Sequence, residues 1–241
     1  MRILLINPNT TDSVTALVAR HVADIAGDAA SFVPVTGAFG GRYISSRASA
    51  AIAAHAALDA LARHGAGCDA VYLACFGDPG LLALREIAQV PVVGMAESAC
   101  LEAARDGRRF AIVTGGALWG PMLTEFVAAM GLADRLTGVR TVAPTGGEIA
   151  DDPDAALAML AAACTACATQ DGAEVVILGG AALAGLAARI QPNVPVPVLC
   201  SVELGTRAAI AAGSAPFTRE NAPAINSIGL SSDLAKSLRG A

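Results

Sequence analysis

The stretch Asp69-Ala70-Val71-Tyr72-Leu73-Ala74-Cys75 returns later in the chain as Glu174-Val175-Val176-Ile177-Leu178-Gly179-Gly180. The offset is 105 throughout, from Asp69 against Glu174 to Cys75 against Gly180. Each copy is an acidic residue, an apolar run of strand length and a turn of small residues. The first turn continues as Phe76-Gly77-Asp78-Pro79-Gly80 and carries a thiol; the second carries none. A second block repeats in the same order. Val90-Pro91-Val92-Val93-Gly94-Met95-Ala96-Glu97 lines up with Val196-Pro197-Val198-Leu199-Cys200-Ser201-Val202-Glu203, at an offset of 106. Arg2 to Thr10 answers Arg109 to Leu118 more faintly. Two such blocks in one order predict an internal duplication.

Working outward, apolar strand-like runs alternate with helical periods. Strands are predicted at 3–6, 69–74, 90–94, 110–114, 174–178 and 196–199. Val14, Leu17, Val18, Val22 and Ile25 mark one helix face at three- and four-residue spacing. Further helices are predicted at about 46–65, from 80, at 97–105, at 121–130 with Pro121 in the first turn, at 154–169, from 181 and near 202–212. This alternation predicts an α/β fold with mostly parallel sheets flanked by helices. The duplication predicts two pseudo-symmetric domains, with the active site in the interdomain cleft at the strand C-terminal ends. The first domain is expected to hold residues 1–100 and 206–241, the second 101–205. The tail, with Pro216 and Pro223, is expected to pack back on the first.

Composition narrows the function classes. The 241 residues are 54% hydrophobic and only 15% charged, so a large core can form. The formal net charge of −5 comes without a basic cluster, which argues against nucleic acid and anionic membrane as partners. No apolar run reaches the length of a transmembrane helix. Met1 to Asn7 reads as a first strand rather than a signal peptide, so a cytoplasmic location is expected. The six cysteines are expected to be free thiols. Cys164-Thr165-Ala166-Cys167 has CxxC spacing but lacks a second pair or a nearby histidine, so it reads as core. His21, His55 and His64 fall on predicted helices without metal-ligand spacing. No metal site is predicted.

The chemistry points to the strand ends. Gly77 and Gly80 expose main-chain N–H groups around Cys75, and a helix is expected just after. A helix N-terminus stabilises a thiolate, so the Cys75 pKa is expected to fall below about 8.5. Asn7-Pro8-Asn9-Thr10-Thr11 closes the first strand. Thr11 or Asp12 is expected to cap the next helix, and Asn9 to contact substrate. Thr114-Gly115-Gly116 closes the matching strand of the second half. A phosphate cradle is the competing reading, but the P-loop lysine and the GxGxxG spacing are both absent. Glu97 and Glu203 occupy matching helix starts, where acids suit the helix dipole or hold a polar network in the cleft. The loop from Gly37 to Arg47 is a candidate cleft wall, with Arg47 as a partner for an anionic substrate or as a solvated residue.

Together, Ile6-Asn7-Pro8-Asn9-Thr10-Thr11, the Cys75 turn and Pro91-Val92-Val93-Gly94-Met95-Ala96-Glu97 resemble the hydantoin and allantoin racemases of the aspartate/glutamate racemase superfamily. The resemblance covers most of the chain and keeps motif order. It implies a cofactor-free enzyme with a small-molecule substrate and a cleft between two α/β domains. It leaves a homo-oligomer open. In such racemases two cysteines flank a Cα; one thiolate takes the proton and the other thiol returns it on the opposite face.

Cys75 matches the first family cysteine. At the second, the family's Gly-Cys-Ala-Gly reads Gly179-Gly180-Ala181-Ala182, so Gly180 stands where the second thiol belongs. The expected catalytic positions are Cys75 and Gly180. The expected substrate contacts are Asn9, Phe76, Gly77, Thr114, Gly115, Gly179, Ala181 and Glu97. Cys200 is a reserve candidate for the second face. A Cα–H about ten pKa units weaker than a thiol costs roughly 14 kcal/mol to ionise, so main-chain donors must stabilise the oxyanion. Three functions stay open: a racemase of hydantoin- or allantoin-type ureides, a one-thiol decarboxylase or isomerase of a small carboxylate resembling arylmalonate decarboxylase, and a catalytically silent binder of a small ligand.

Overall fold

The computed structural model describes residues 1–143, 148–149, 152–218 and 224–239. It contains two four-stranded parallel sheets of the same topology. Strands β1 (Arg2–Asn7), β2 (Ser31–Thr36), β3 (Ala70–Leu73) and β4 (Val92–Gly94) form the first, in the order β2-β1-β3-β4. Strands β5 (Phe110–Gly115), β6 (Leu136–Val142), β7 (Val175–Leu178) and β8 (Val198–Cys200) form the second, in the order β6-β5-β7-β8. Val71 pairs with Val92 in one sheet and Val176 with Val198 in the other. The repeated blocks therefore hold the same places in both sheets.

The helices are α1 (Asp12–Ala26), α2 (Arg47–His64), α3 (Leu81–Ile87), α4 (Met95–Ala103), α5 (Trp119–Ala129), α6 (Pro153–Thr169), α7 (Leu186–Ile190), α8 (Ser201–Ser214) and α9 (Ser232–Leu238). Side chains alternate between the faces of each strand, and both faces of the central strands β1, β3, β5 and β7 are buried. Leu4, Ile6, Val71 and Leu73 pack outward on α2, α3 and Leu234 of α9. Ala111, Val113, Val176 and Leu178 pack outward on α6 and α7. The inward residues Ile3, Leu5, Tyr72, Phe110, Ile112 and Ile177 join one central cluster. Val18 of α1, Ala99 of α4, Leu123 of α5 and Val202 of α8 belong to the same cluster. One apolar layer thus ties the two sheets together.

Two details depart from the sequence reading. Strands β2 and β6 were not expected. Each is an edge strand, and Pro34 and Gly138 interrupt their apolar pattern as edges tolerate. The helix expected from 181 is a single 3₁₀ turn, Ala181–Leu183, with α7 starting only at Leu186. Gly185, at φ +79°, breaks the run and lets the chain pass close to the His21 ring. In the tail, α9 packs on α2 and Ser231 bonds the buried Asp59. Pro216 lies in an exposed segment, and Pro223 falls outside the described residues.

Helix α8 crosses the layer and packs on α1, α4 and β3. The buried Tyr72 hydroxyl donates to the Val202 carbonyl at 3.3 Å. Gly205, one turn on, lies directly under that ring, where a Cβ would overlap the hydroxyl and ring carbons. In an open helix Gly→Ala gains about 1 kcal/mol. Here overpacking of an immobile ring costs about 1–3 kcal/mol more than an unstrained site. Gly205→Ala is therefore expected to lower the urea midpoint despite its better helix propensity; a raised midpoint would contradict this packing.

Candidate active site

The C-terminal ends of β1, β3, β5 and β7 converge. Asn9 follows β1, Cys75 follows β3, Thr114 and Gly115 end β5, and Gly179 and Gly180 follow β7. All six line one cavity, with about 60 Å³ open to the centre of a water-sized sphere. Val14, Tyr43, Ile44, Phe76, Trp119 and Leu183 complete most of its apolar wall. Such a site, largely apolar with a few convergent polar groups, suits a small ligand.

The two turns are interlocked. The Phe76 ring rests on Gly179, where any side chain would overlap it. Reciprocally, the Trp119 indole stands over Gly77, which holds φ +118°. The Tyr43 hydroxyl donates to the Gly115 carbonyl at 3.1 Å, closing the 37–47 loop over the second half. These three approaches press the thiol-bearing turn of one half against the small-residue turn of the other.

Cys75 is 8% exposed. Its thiol is pushed well above the ordinary range, first by burial and then by the Asp78 carboxylate. This corrects the expectation of a depressed pKa. Helix α3 begins only at Leu81, after Gly80 in the left-handed conformation. The helix N-terminus that does serve this turn is that of α4, and Asp78 already occupies it. Its Oδ1 accepts from the Ala96 N–H at 3.0 Å and its Oδ2 from the Glu97 N–H at 2.7 Å. Gly94 makes room, since a Cβ there would collide with the carboxylate. Burial raises Asp78 to about 7, against the lowering effect of those main-chain bonds.

Across the cavity, Gly180 holds φ +143° and ψ 137°. Its N–H donates to the buried Ser201 Oγ at 3.1 Å. A Cβ built there meets Leu183 Cγ at 3.5 Å and Thr114 Oγ1 at 3.9 Å, ordinary contact distances. Space for a side chain exists, but the backbone favours glycine.

Of the expected substrate contacts, Asn9, Phe76, Thr114, Gly115, Gly179 and Ala181 line the cavity. Gly77 instead packs under Trp119. Glu97 pairs with Arg85 on α3, away from the lining. Arg47 pairs with Glu125 in an exposed ion pair between the halves. Cys200 lines a different cavity with His21 and Glu203. Thr11 makes no side-chain cap; its hydroxyl donates to the Arg42 carbonyl. The Asn9 side-chain Oδ1 accepts from Asn7 Nδ2 and the Thr11 N–H, both at 2.9 Å. These bonds fix the Asn9 side chain at the cavity wall.

Sequence reasoning missed Asp78, Trp119, Val14 and Leu183, whereas Tyr43 and Ile44 come from the 37–47 loop expected in the cleft wall. Trp119 had a signal: it is the only tryptophan, and it starts the helix after the Thr114-Gly115-Gly116 turn. Asp78 had a weaker one, its place between two turn glycines.

The profile of the Asp/Glu/Hydantoin racemase family matches residues 3–209. The chain is 32% identical over 213 residues to a hydantoin racemase of Paenarthrobacter aurescens, covering 87% of this chain and 89% of that protein. It is 31% identical over 208 residues to a hydantoin racemase of Pseudomonas sp. (strain NS671), covering 86% and 84%. Its fold superposes on the crystal structure of allantoin racemase from Pseudomonas fluorescens with a TM-score of 0.84 and 28% identity, covering 92% of this chain and 100% of the other. By sequence and by fold, the chain belongs to the Asp/Glu/hydantoin racemase family.

Proposed function

We propose that this protein is a cofactor-independent racemase or epimerase acting at the Cα of a hydantoin- or allantoin-type ureide, with Cys75 as its acid/base. The observation that carries the reading is that Cys75 and Gly180 line the same cavity from the two related strand ends. A planar ring between them presents one face of its Cα to a thiol. As thiolate, Cys75 removes the Cα proton, and the electron pair moves into the adjacent carbonyl. Donors around the cavity, the Asn9 amide and the Thr114 hydroxyl among them, hold the resulting oxyanion. Cys75 then returns a proton to the same face. The opposite face has Gly180 and no thiol, so its proton comes from water admitted beside Gly180 and Thr114.

The cavity serves as the interdomain cleft in this reading. The division goes with residues 1–100 and 206–241 on one side and 101–205 on the other. The packing of α9 on α2 supports the return of the tail to the first side.

Gly180 also supports a second reading, a one-thiol decarboxylase of a disubstituted malonate. After carbon dioxide leaves, the carbanion needs one proton on one face, and Cys75 supplies it.

Incubating each enantiomer of a 5-substituted hydantoin or of allantoin in deuterated water tests the first reading. Deuterium is expected to enter Cα faster than optical rotation is lost, and for one enantiomer more than the other. No exchange together with thermal stabilisation by the ureide would overturn it in favour of a silent binder. Release of carbon dioxide from the malonate without ureide exchange would favour the second reading. Cys75→Ser is expected to cut exchange at least about 100-fold, as loss of a general acid/base does. Gly180→Cys is expected to cost about 1–3 kcal/mol of stability through its positive φ and yet to bring loss of rotation closer to the exchange rate. Unchanged racemisation in a folded Gly180→Cys protein would argue against that position facing the substrate.

A further inference from the structure

We propose that Asp78 is a positioning residue that anchors the turn carrying Cys75 and adds a negative charge beside its buried sulfur. The inference rests on the reading of Cys75 as the acid/base, but its geometry stands apart from any substrate.

Asp78 sits three residues after Cys75, and its N–H donates to the Cys75 carbonyl at 3.0 Å. It is 4% exposed and, at φ +45°, adopts a conformation that non-glycine residues seldom take. That conformation turns its carboxylate into the first turn of α4, onto the Ala96 and Glu97 N–H groups. The close passage over Gly94 allows no side chain there. The turn that carries Cys75 is thereby fastened to a nine-residue helix on the neighbouring strand connection. Asp78 does not line the cavity, so it acts through Cys75 rather than on the substrate.

The electrical consequence follows from occupancy. The positive end of α4 is the anion site nearest this turn, and a carboxylate already fills it. No comparable stabilisation is left for a thiolate, and an anion two residues beyond its neighbour Phe76 repels one. The ionisable groups that face Asp78 are Tyr72 on β3, Cys75 on its own turn, Arg85 on α3, and Glu97 and Cys100 on α4. Arg85 is the one cation in this set, and its guanidinium is held by Glu97. As pH rises, Asp78 releases its proton near 7, before a thiol does. Cys75 therefore meets a fully charged carboxylate throughout the range in which it would ionise. It rests as a neutral thiol, the form that donates a proton; to act as base it first passes that proton to water in the cavity, and the thiolate left beside the carboxylate is the stronger base for the repulsion.

The test is the pH profile of Cys75 alkylation by iodoacetamide in the ligand-free protein, read at the Cys75 peptide by mass spectrometry. Wild-type Cys75 is expected to titrate at least about one pH unit above the 8.5 of a free thiol. Asp78→Asn keeps a side chain of the same shape and removes the charge. It is expected to lower the midpoint by about one unit or more and to raise the alkylation rate at pH 8 about threefold, after the lower nucleophilicity of a weaker base is counted. A merely structural role would expose the thiol and so raise the plateau rate together with any fall in the midpoint, whereas loss of the charge alone lowers the midpoint at an unchanged plateau rate. An unchanged midpoint in Asp78→Asn would overturn the proposal. So would a wild-type midpoint at or below about 8.5, a result that needs no variant to fold. Neither outcome depends on turnover, so the racemase reading can fail while this one holds, and the reverse.

Discussion

The site depends on one constraint: the inward faces of two parallel sheets share a single apolar layer. Ile3, Leu5 and Tyr72 from one sheet, and Phe110, Ile112 and Ile177 from the other, bury against the same helices. At about 25 cal/mol per Å² of apolar surface, such burial dominates folding, and it leaves little freedom for one half to slide on the other. Because both sheets are parallel and built alike, their strand C-terminal ends come together at one place. Everything at the site follows from that convergence, including the thiol on one wall and the bare glycine on the other.

Close backbone approaches then refine the positions. Phe76 lies on Gly179 and Trp119 on Gly77, each exchange crossing from one half to the other. Asp78 fixes the thiol-bearing turn from behind, through the N-terminus of α4. The result differs from an activated nucleophile at a helix start. Here the helix start holds a carboxylate, and the buried thiol stays protonated beside it. For transfer of a proton to carbon, a resting thiol is a suitable state. The duplicated architecture offers the second half the same opportunity, but Gly180 carries no acid.

Much of this was legible in the sequence. The offsets of 105 and 106 identify strands that pair in the same register in both sheets, and the apolar runs locate six of the eight strands. The cavity positions Asn9, Cys75, Thr114 and Gly180 were readable because strand-end turns carry small and polar residues that a core does not need. The edge strands β2 and β6 were not readable. Both are only partly buried, and Pro34, Gly138 and Arg140 interrupt the apolar run that marks the other two edge strands, β4 and β8. The cavity wall was legible only in part, because Val14 reads as one more apolar residue of a helix face in a linear sequence. The charge state of Cys75 was misread for a clearer reason. A sequence shows that helices begin near the turn; only the fold shows that the thiol is buried and that Asp78 reaches the α4 terminus first.

The central claim is that a cyclic ureide lies between Cys75 and Gly180. A crystal structure of the protein with a 5-substituted hydantoin bound tests it most directly. The account predicts the Cys75 Sγ on one face of the ring, about 3–3.5 Å from Cα as proton transfer requires, with Gly180 on the other face. A ring bound elsewhere, or one that turns Cα away from the sulfur, would contradict it.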